Sequence, residues 1–320
     1  MPARRGPRFW LATIVGVLCA LYLILRIVSF VHIFGQHEGV VLTQDEVLEA
    51  YQSQKPLEHR TAYVPRIIHQ IFHNWTDPDN EALPSQWNEN RKSCVDLNPG
   101  WESWLWTPKT SREFIEREYP WFLTTYDNFK FLIQRIDSLR YFLLRHYGGI
   151  YMDADNGCKT SLEPLRYYPA WVVDGGHGAL SNDILAGEPE HAYWILMTDS
   201  LISYAWNYPL PYITISYATG QWYETEIWNK YFRQKVDDKP EPVRILTDGR
   251  PGAAEPVFFT YSGGETWHNW DNQMFGWIGQ NLLFFIAIVA GNAVVLSMAC
   301  VAVAYRLNRW LGRDQRLVKY

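Results

Sequence analysis

The segment from residue 129 to residue 155 constrains the fold of this chain more than any other. It begins with apolar side chains at the spacing of one helix face, namely Leu132, Ile136, Leu139 and Leu143. A Gly-Gly pair at 148–149 ends that helix, and the short apolar run 150–152 follows as a strand. The segment therefore predicts a helix, a tight turn and a strand that ends in two carboxylates, Asp153 and Asp155.

The rest of the central region predicts further strands and helices in alternation. A β-branched run at 66–72 predicts a first strand, and residues 101–106 predict a second. Residues 111–119 predict a helix with a serine cap. The alternation continues to about Phe259, so the predicted fold class is α/β. In open α/β sheets the ligand binds at the carboxyl edge of the strands, where the acidic pair is expected to lie.

Two long apolar segments bracket this region, and each has the roughly 20 residues that a membrane-spanning helix needs. Basic residues flank both segments on their outer sides, which predicts that both termini face the cytosol. The predicted order is a cytosolic tail (1–8), a transmembrane helix (9–34), a stalk (35–63), a lumenal catalytic domain (64–276), a second transmembrane helix (277–305) and a cytosolic tail (306–320).

Charge and cysteine content limit the possible partners and cross-links. The chain has 29 basic and 34 acidic residues, and this slightly acidic balance argues against a nucleic-acid partner, which needs a basic surface. Two of the four cysteines, Cys94 and Cys158, belong to the central region. The sequence leaves open whether they form a disulfide or remain free thiols.

The acidic pair is suited to phosphate chemistry through a metal. Asp153 and Asp155 can share a hard divalent cation, which in turn binds phosphate oxygens and stabilises a diphosphate leaving group. Asp137 and Arg140 are three residues apart, on one face of the preceding helix. That face either borders the same cleft, where Arg140 would bind a diphosphate and Asp137 a sugar hydroxyl, or carries a local surface ion pair.

The runs at 137–141 (DSLRY) and 147–155 (YGGIYMDAD) resemble the signature of glycosyltransferase family 32. Further blocks match the family in the same order, at 64–70, 181–183, 219–220 and 262–268. Gln221 stands where the family usually has proline, which leaves the conformation of that loop open. The resemblance implies a GT-A fold and metal-dependent, retaining hexosyl transfer.

The resemblance, together with the shared helix face, also implies roles for individual residues. The expected catalytic residues are Asp137, Arg140, Asp153 and Asp155. Donor binding is expected from His69, Gln70, Asp137, Arg140, Tyr151, Asp153, Asn182 and Asp183. The expected metal ligands are Asp153, Asp155 and His268, with Mn²⁺ as the expected ion and Mg²⁺ as the alternative. For His268 a packing role beside Trp267 is the competing interpretation.

The second apolar segment narrows the resemblance to the catalytic subunits of fungal mannosylinositol phosphorylceramide synthases. Those enzymes imply GDP-mannose as donor, inositol phosphorylceramide in a lipid bilayer as acceptor, a regulatory membrane subunit as partner, and the Golgi membrane as location. The acceptor phosphate predicts a basic side chain near the cleft, either Arg166 or Lys159. The stretch 193–232 is dense in Trp and Tyr, which suits a membrane interface or, equally, a buried aromatic core.

Three alternatives remain at this stage. The first is a Golgi glycosyltransferase of the same fold that acts on a glycoprotein glycan. The second is a non-catalytic membrane subunit, which the intact set of Asp and Arg residues disfavours. The third is an aspartate-nucleophile phosphatase, which would need Thr or Val where Gly157 stands and an acidic pair on the first strand.

Overall fold

A computed structural model describes residues 32–35, 37–53, 60–77, 80–176, 178–234, 240–247, 252–264, 269–281 and 283–285, with scattered single residues at 14–28 and 287–302. The chain divides into two compact units, residues 1–266 and residues 267–320. The sheets and the candidate site belong to the first unit.

The first unit contains a seven-stranded mixed sheet in the order β1-β8-β6-β7-β4-β2-β3. Its strands are β1 (Val41–Thr43), β2 (Ile67–Ile71), β3 (Glu102–Trp106), β4 (Gly149–Met152), β6 (Ala170–Asp174), β7 (Ser181–Gly187) and β8 (Val243–Leu246). Only β7 runs antiparallel to its two neighbours among these described strands. A separate antiparallel pair consists of β5 (Asn156–Cys158) and β9 (Phe259–Tyr261).

Helices alternate with the strands along the chain. They are α1 (Gln44–Ser53), α2 (Ser85–Leu97), α3 (Pro108–Glu118), α4 (Pro120–Asp127), α5 (Leu132–Tyr147), α6 (Ala192–Tyr204), α7 (Pro211–Ala218), α8 (Gln221–Arg233) and, in the second unit, α9 (Trp270–Gln280). A short 3-10 helix covers Glu163–Tyr167. The mixed sheet and the helices that alternate with its strands confirm the predicted α/β class.

Apolar side chains are buried on both faces of the sheet. Along β4, Tyr151 packs into one core, whereas Ile150 and Met152 pack into a second core on the opposite face. The two faces alternate because successive side chains of a strand point in opposite directions. A strand that is covered on both faces can present polar groups to a ligand only at its end, where Asp153 follows β4.

The turn between α5 and β4 requires two glycines. Gly148 has φ 64° and Gly149 has φ 93°, a region that side-chain-bearing residues rarely adopt. A Cβ on Gly148 would lie 2.7 Å from the carbonyl oxygen of Gly187, and one on Gly149 would lie 2.6 Å from that of Ile67. The turn lets the chain reverse within two residues, so the first half of α5 lies beside the carboxyl end of β4. This confirms the arrangement predicted from the 129–155 segment.

The helix predicted at 111–119 begins three residues earlier, at Pro108. Thr107 caps it and forms a capping box with Thr110, while the proline at the first helical position has its φ already fixed for a helix. Ser111, predicted as the cap, is instead buried inside the helix with its hydroxyl 3.1 Å from His73 Nε2. The sequence T-P-x-T therefore outweighs the later serine as a start signal.

The predicted transmembrane helices at 9–34 and 277–305 require correction. No helix in the described part of the chain has both the length and the apolar character needed to cross a membrane. The fold prediction is therefore wrong in its flanking spans, and the predicted localisation as a two-span protein of the Golgi membrane is wrong with it.

Most residues of those two segments, and the predicted cytosolic tails at 1–8 and 306–320, lie outside the described residues. The structure also adds detail within the predicted stalk at 35–63. There β1 pairs in parallel with β8, so this part of the chain contributes an edge strand to the main sheet.

A disulfide joins Cys94 on α2 to Cys158 on β5, which resolves the alternative that the sequence left open. The bond closes a loop with a sequence separation of 64 residues. It fixes α2 against the strand that directly follows the acidic pair.

Removing this cross-link is expected to lower the free energy of unfolding by about 2–4 kcal/mol, because the unfolded chain regains the freedom of the closed loop. Guanidinium denaturation of the double variant Cys94→Ala/Cys158→Ala measures the effect. Wild-type protein treated with a reductant serves as the control and should show the same midpoint as the variant. Identical midpoints for the oxidised wild type and the variant would contradict the prediction.

Candidate active site

Arg140 on α5 is the centre of a buried polar network. Its Nη2 lies 3.1 Å from Asp137 Oδ1 and 3.2 Å from Asp153 Oδ1. Its Nη1 donates to the carbonyl oxygen of Asn182, and the guanidinium lies 4.7 Å from the ring centroid of Tyr151. Burial opposes the charged form, but the neighbouring carboxylates outweigh it and raise the pKa of Arg140. The arginine therefore stays charged and ties α5 to the ends of β4 and β7.

Asp137 is the second node of this network. Its Oδ1 accepts a hydrogen bond from Asn182 Nδ2 at 3.1 Å, and its Oδ2 accepts one from Thr219 Oγ1 at 3.0 Å. The Tyr141 hydroxyl in turn donates to the carbonyl oxygen of Thr219 at 2.7 Å. Burial raises the pKa of Asp137, while Arg140 and these two donors oppose that rise. With both oxygens engaged, Asp137 holds the segment after α7 against α5.

Asp153 and Asp155 face outward from this network. The side chain of Asp153 is 32% exposed, so it can reach a ligand, and its Oδ1 accepts a hydrogen bond from the Tyr151 hydroxyl. The Asp153 amide donates to the carbonyl oxygen of Asp183 at 2.8 Å. Desolvation raises the pKa of Asp153 to about 7, and the charges of Asp155 and Asp183 add to the rise. Burial and Asp183 also raise the pKa of Asp155. The three carboxylates thus form a cluster of incompletely balanced negative charge.

Residues distant in the chain support the acidic loop. Asn90 Nδ2 on α2 donates to the carbonyl oxygen of Ala154 at 3.3 Å. Ser262 donates to the carbonyl oxygen of Asp155 through both its amide and its hydroxyl, each at 3.0 Å. A Cβ on Gly264 would collide with Asp155 Oδ2. Sequence reasoning missed Asn90, and only the 262–268 block hinted at Ser262 and Gly264.

His69 on β2 is buried, with both ring nitrogens engaged. Trp106 Nε1 donates to its Nδ1 at 3.2 Å, so Nε2 carries the proton and donates to the carbonyl oxygen of Gly148 at 2.9 Å. Burial lowers the pKa of His69 to about 4. The predicted role of His69 in donor binding therefore remains a prediction, whereas its observed contacts support the glycine turn.

Acid is expected to destabilise the protein through His69, because the folded pKa lies below the ordinary value of about 6.5. The neutral form is favoured in the fold, so its stability contribution is complete above pH 6.5 and is lost as the pH falls towards 4. His69→Gln, which keeps one donor and one acceptor, should lose less stability over this range than the wild type. Denaturation at pH 7, 5.5 and 4 tests this. Equal losses would contradict it.

Two other predicted residues have different outcomes. Gln70 is 1% exposed, and its Oε1 accepts a hydrogen bond from Arg91 Nη1 at 3.4 Å. Its Nε2 has no hydrogen-bond partner among the described residues. His268, the third predicted metal ligand, lies outside the described residues, so its role remains a prediction.

Glu224, in the first turn of α8, was not predicted from the sequence. It is fully buried, and neither carboxyl oxygen has a hydrogen-bond partner within the described part of the chain. Burial raises the pKa of Glu224 well above the usual range. The charges of Asp183 and Asp137 raise this pKa further, whereas the charge of Arg140 lowers it. A glutamate in the first turn of a helix is normally exposed to solvent, where it interacts favourably with the helix dipole. The sequence therefore did not indicate that Glu224 is buried.

The aromatic stretch 193–232 mainly forms the core. Its fully buried rings include those of Tyr193, Trp194, Tyr223 and Trp228. Trp206, by contrast, is 68% exposed. The two basic residues expected near an acceptor phosphate have acidic neighbours. Arg166 Nη1 lies 2.7 Å from Glu163, and Lys159 Nζ lies 3.9 Å from Glu255.

The donor set suits a hard divalent cation. Asp153 and Asp155 supply carboxylate oxygens, the ligands that Mg²⁺ and similar ions prefer. Burial and, to a smaller extent, neighbouring carboxylates raise the pKa values of both carboxyls, and a bound cation would favour their charged forms. No group of three or more His, Cys, Asp or Glu side chains in the described segments could hold a metal ion by itself.

Comparison with known proteins adds a family to this geometry. Residues 84–171 match the family model described as a glycosyltransferase sugar-binding region containing a DXD motif. Inositol phosphoceramide mannosyltransferase 2 of Schizosaccharomyces pombe is 38% identical over 230 residues, which cover 71% of this chain and 64% of the relative. Mannosyl phosphorylinositol ceramide synthase SUR1 of Saccharomyces cerevisiae is 38% identical over 205 residues, with 64% and 52% coverage.

A third relative is aligned over more of its length. Inositol phosphoceramide mannosyltransferase 1 of Schizosaccharomyces pombe is 31% identical over 255 residues, which cover 78% of this chain and 76% of the relative. The alignments to the other two span only 64% and 52% of those relatives.

Proposed function

We propose that this chain, which belongs to the glycosyltransferase family with a DXD motif that includes inositol phosphoceramide mannosyltransferases, transfers mannose from GDP-mannose to inositol phosphoceramide. The observation that carries the proposal is the pair Asp153 and Asp155 at the carboxyl end of β4. The Asp153 side chain is partly exposed to a ligand, and the buried Arg140 holds it in place. The names of the relatives support mannose as the sugar and inositol phosphoceramide as the acceptor.

A divalent cation, with Mn²⁺ proposed as the ion, would bind Asp153 and Asp155 and neutralise the charge that develops on the departing diphosphate. His268 is the proposed third protein ligand. Asp183 and Asn182 lie at the start of β7 beside the same edge, and we assign them to the sugar and ribose hydroxyls of the donor. Their partly exposed side chains leave them accessible to a ligand.

Arg140 acts as a positioning residue in this proposal. Its side chain is 2% exposed, so it contacts Asp153 and Asp137 rather than a bound diphosphate. Tyr151 completes the support, because its hydroxyl donates to the same Asp153 oxygen that Arg140 contacts. Asp153 is thereby fixed in one orientation before the donor arrives, and such preorganisation lowers the reorganisation needed during reaction.

The proposed reaction retains the configuration at the anomeric carbon. The bond between mannose C1 and the diphosphate oxygen breaks, and its electron pair leaves with GDP. An inositol hydroxyl forms the new C1–O bond on the same face and gives its proton to the departing diphosphate. Asp153 and the residues that hold it contribute by positioning and electrostatics. NMR of the product should therefore show an α-mannoside, and a β linkage would contradict retention.

The purified full chain, supplied with a panel of nucleotide sugars and inositol phosphoceramide in detergent micelles, tests the donor assignment. Mass spectrometry should detect a hexose added to the lipid with GDP-mannose and a loss of transfer on chelation by EDTA, restored best by Mn²⁺. Preferential transfer from a different nucleotide sugar would overturn the donor assignment, and activity unaffected by EDTA would overturn the metal. The resemblance also predicts a regulatory membrane subunit, which co-purification with the native protein would reveal.

A further inference from the structure

A polar cavity of about 300 Å³ lies at the start of α5, the helix that carries Asp137 and Arg140. Its lining comes from the end of α4, the start of α5 and the end of α6: Thr124, Thr125, Asn128, Phe129, Lys130, Gln134, Ile202, Ala205 and Asn207. Hydroxyl and amide groups dominate this lining, and Lys130 is its one cation. The volume is at the lower end of the range for small-ligand sites.

The cavity and the carboxylate site are joined through α5. Gln134 lines the cavity, and Asp137 lies one helical turn further on, about 4.5 Å along the axis. Arg140 lies one further helical turn along α5 and contacts Asp153 at the end of β4. One face of α5 therefore leads directly from the cavity to the residues proposed to hold the donor, which is the relation that a group-transfer reaction requires between its two substrates.

We infer that this cavity is the acceptor subsite and binds a phosphorylated polyol, with Lys130 meeting the phosphate and the Asn and Thr side chains meeting the hydroxyls. The inference rests on the proposed function and names where its acceptor sits. Lys130 is exposed and forms no ion pair among the described residues, so its charge is available for a phosphate. Arg166 and Lys159, the basic residues expected from the sequence, each have an acidic neighbour instead.

The surroundings of the cavity indicate how a lipid would present that headgroup. Ile202 lines the cavity and is 48% exposed. Trp206 is 68% exposed, and its neighbours in the sequence, Ala205 and Asn207, both line the cavity. Leu132, two residues after Lys130, is also exposed. A polar cavity whose lining segments also carry exposed apolar side chains fits a ligand whose headgroup is polar and whose remaining part is apolar.

Steady-state kinetics with inositol phosphoceramide micelles test the inference. Lys130→Ala should raise the acceptor KM about tenfold or more, since it removes one charge-assisted hydrogen bond. Asn207→Asp, which keeps the side-chain size but adds a negative charge, should also raise the acceptor KM. Ala205→Phe, which fills the cavity, should do the same. All three variants should keep the wild-type KM for GDP-mannose, and Lys92→Ala, an exposed lysine on α2, serves as the matched control.

Free ligands distinguish the sources of the phosphate. Inositol 1-phosphate should compete with the lipid in the wild type but at least several-fold less well in Lys130→Ala. Competition by inorganic phosphate as strong as that by inositol 1-phosphate would overturn the polyol part of the inference. Unchanged acceptor KM in Lys130→Ala and Ala205→Phe, in a chain whose wild type transfers mannose, would overturn the subsite while leaving the proposed function intact. A wild type without transfer to the lipid would overturn the function itself.

Discussion

Replacing Asp155 by asparagine is expected to lower the rate of mannosyl transfer about a hundred- to a thousandfold, the effect of losing one electrostatic contact to a transition state. Asp155→Asn has nearly the same shape and removes only the charge that would hold the cation. Folding should not suffer, because burial and Asp183 raise the pKa of Asp155 and so disfavour its charged form in the metal-free protein. We therefore expect the melting temperature to stay the same or rise.

Asp96→Asn on α2 is the matched control, because it makes the same change at an exposed aspartate outside the acidic pair; it should retain full activity. Turnover under saturating donor and the binding of Mn²⁺ in the presence of GDP are the two measurements. Both should fall in Asp155→Asn. Wild-type turnover in that variant, at a normal level of folded protein, would remove Asp155 from the site.

Replacing Arg140 by methionine is expected to lower the free energy of unfolding by about 3–5 kcal/mol, because the change leaves Asp137 charged, buried and without its cation. Urea denaturation measures this loss. The double variant Arg140→Met/Asp137→Asn removes the unpaired charge and should recover part of the stability. A double variant less stable than Arg140→Met would show that the buried ion pair is not the cause.

The control for this prediction is a second arginine in an exposed ion pair. Arg112 Nη2 lies 2.9 Å from Asp127 Oδ2, with side chains that are 45% and 37% exposed. Solvent screens such surface pairs, so Arg112→Met should change the unfolding free energy far less. Similar losses for the two arginine variants would contradict the assigned role of burial.

The local geometry of the site could be predicted from the sequence because the patterns that determine it lie close together in the chain. The apolar spacing on α5, the Gly-Gly pair and the run into Asp153 fix helix, turn and strand within 27 residues, the span 129–155. The contact between Arg140 and Asp153 also follows, since the turn returns the strand beside the helix. Asp137 and Arg140 form an ion pair as the spacing allowed, but it is buried and not on the surface.

The long-range partners could not be derived in the same way. Thr219 reaches Asp137 across 82 residues, and Ser262 reaches Asp155 across 107, so only the resemblance pointed to these segments. His69 illustrates a different limit, because a polar residue in a strand-like run gives no indication of whether it meets a ligand or supports a turn. The apolar segments at 9–34 and 277–305 predicted spans from their composition, and the part of the chain that the structure describes contains no helix that meets this prediction.

The most direct test of the account compares two acceptors in one assay with the purified full chain and GDP-mannose. The account predicts transfer to inositol phosphoceramide in detergent micelles, none to free oligomannose, and a loss of transfer in Asp155→Asn. Efficient transfer to the free glycan with none to the lipid would contradict the acceptor and favour the glycoprotein alternative. Absence of transfer to either acceptor, with folded protein and Mn²⁺ present, would contradict the assignment of a mannosyltransferase site to Asp153 and Asp155.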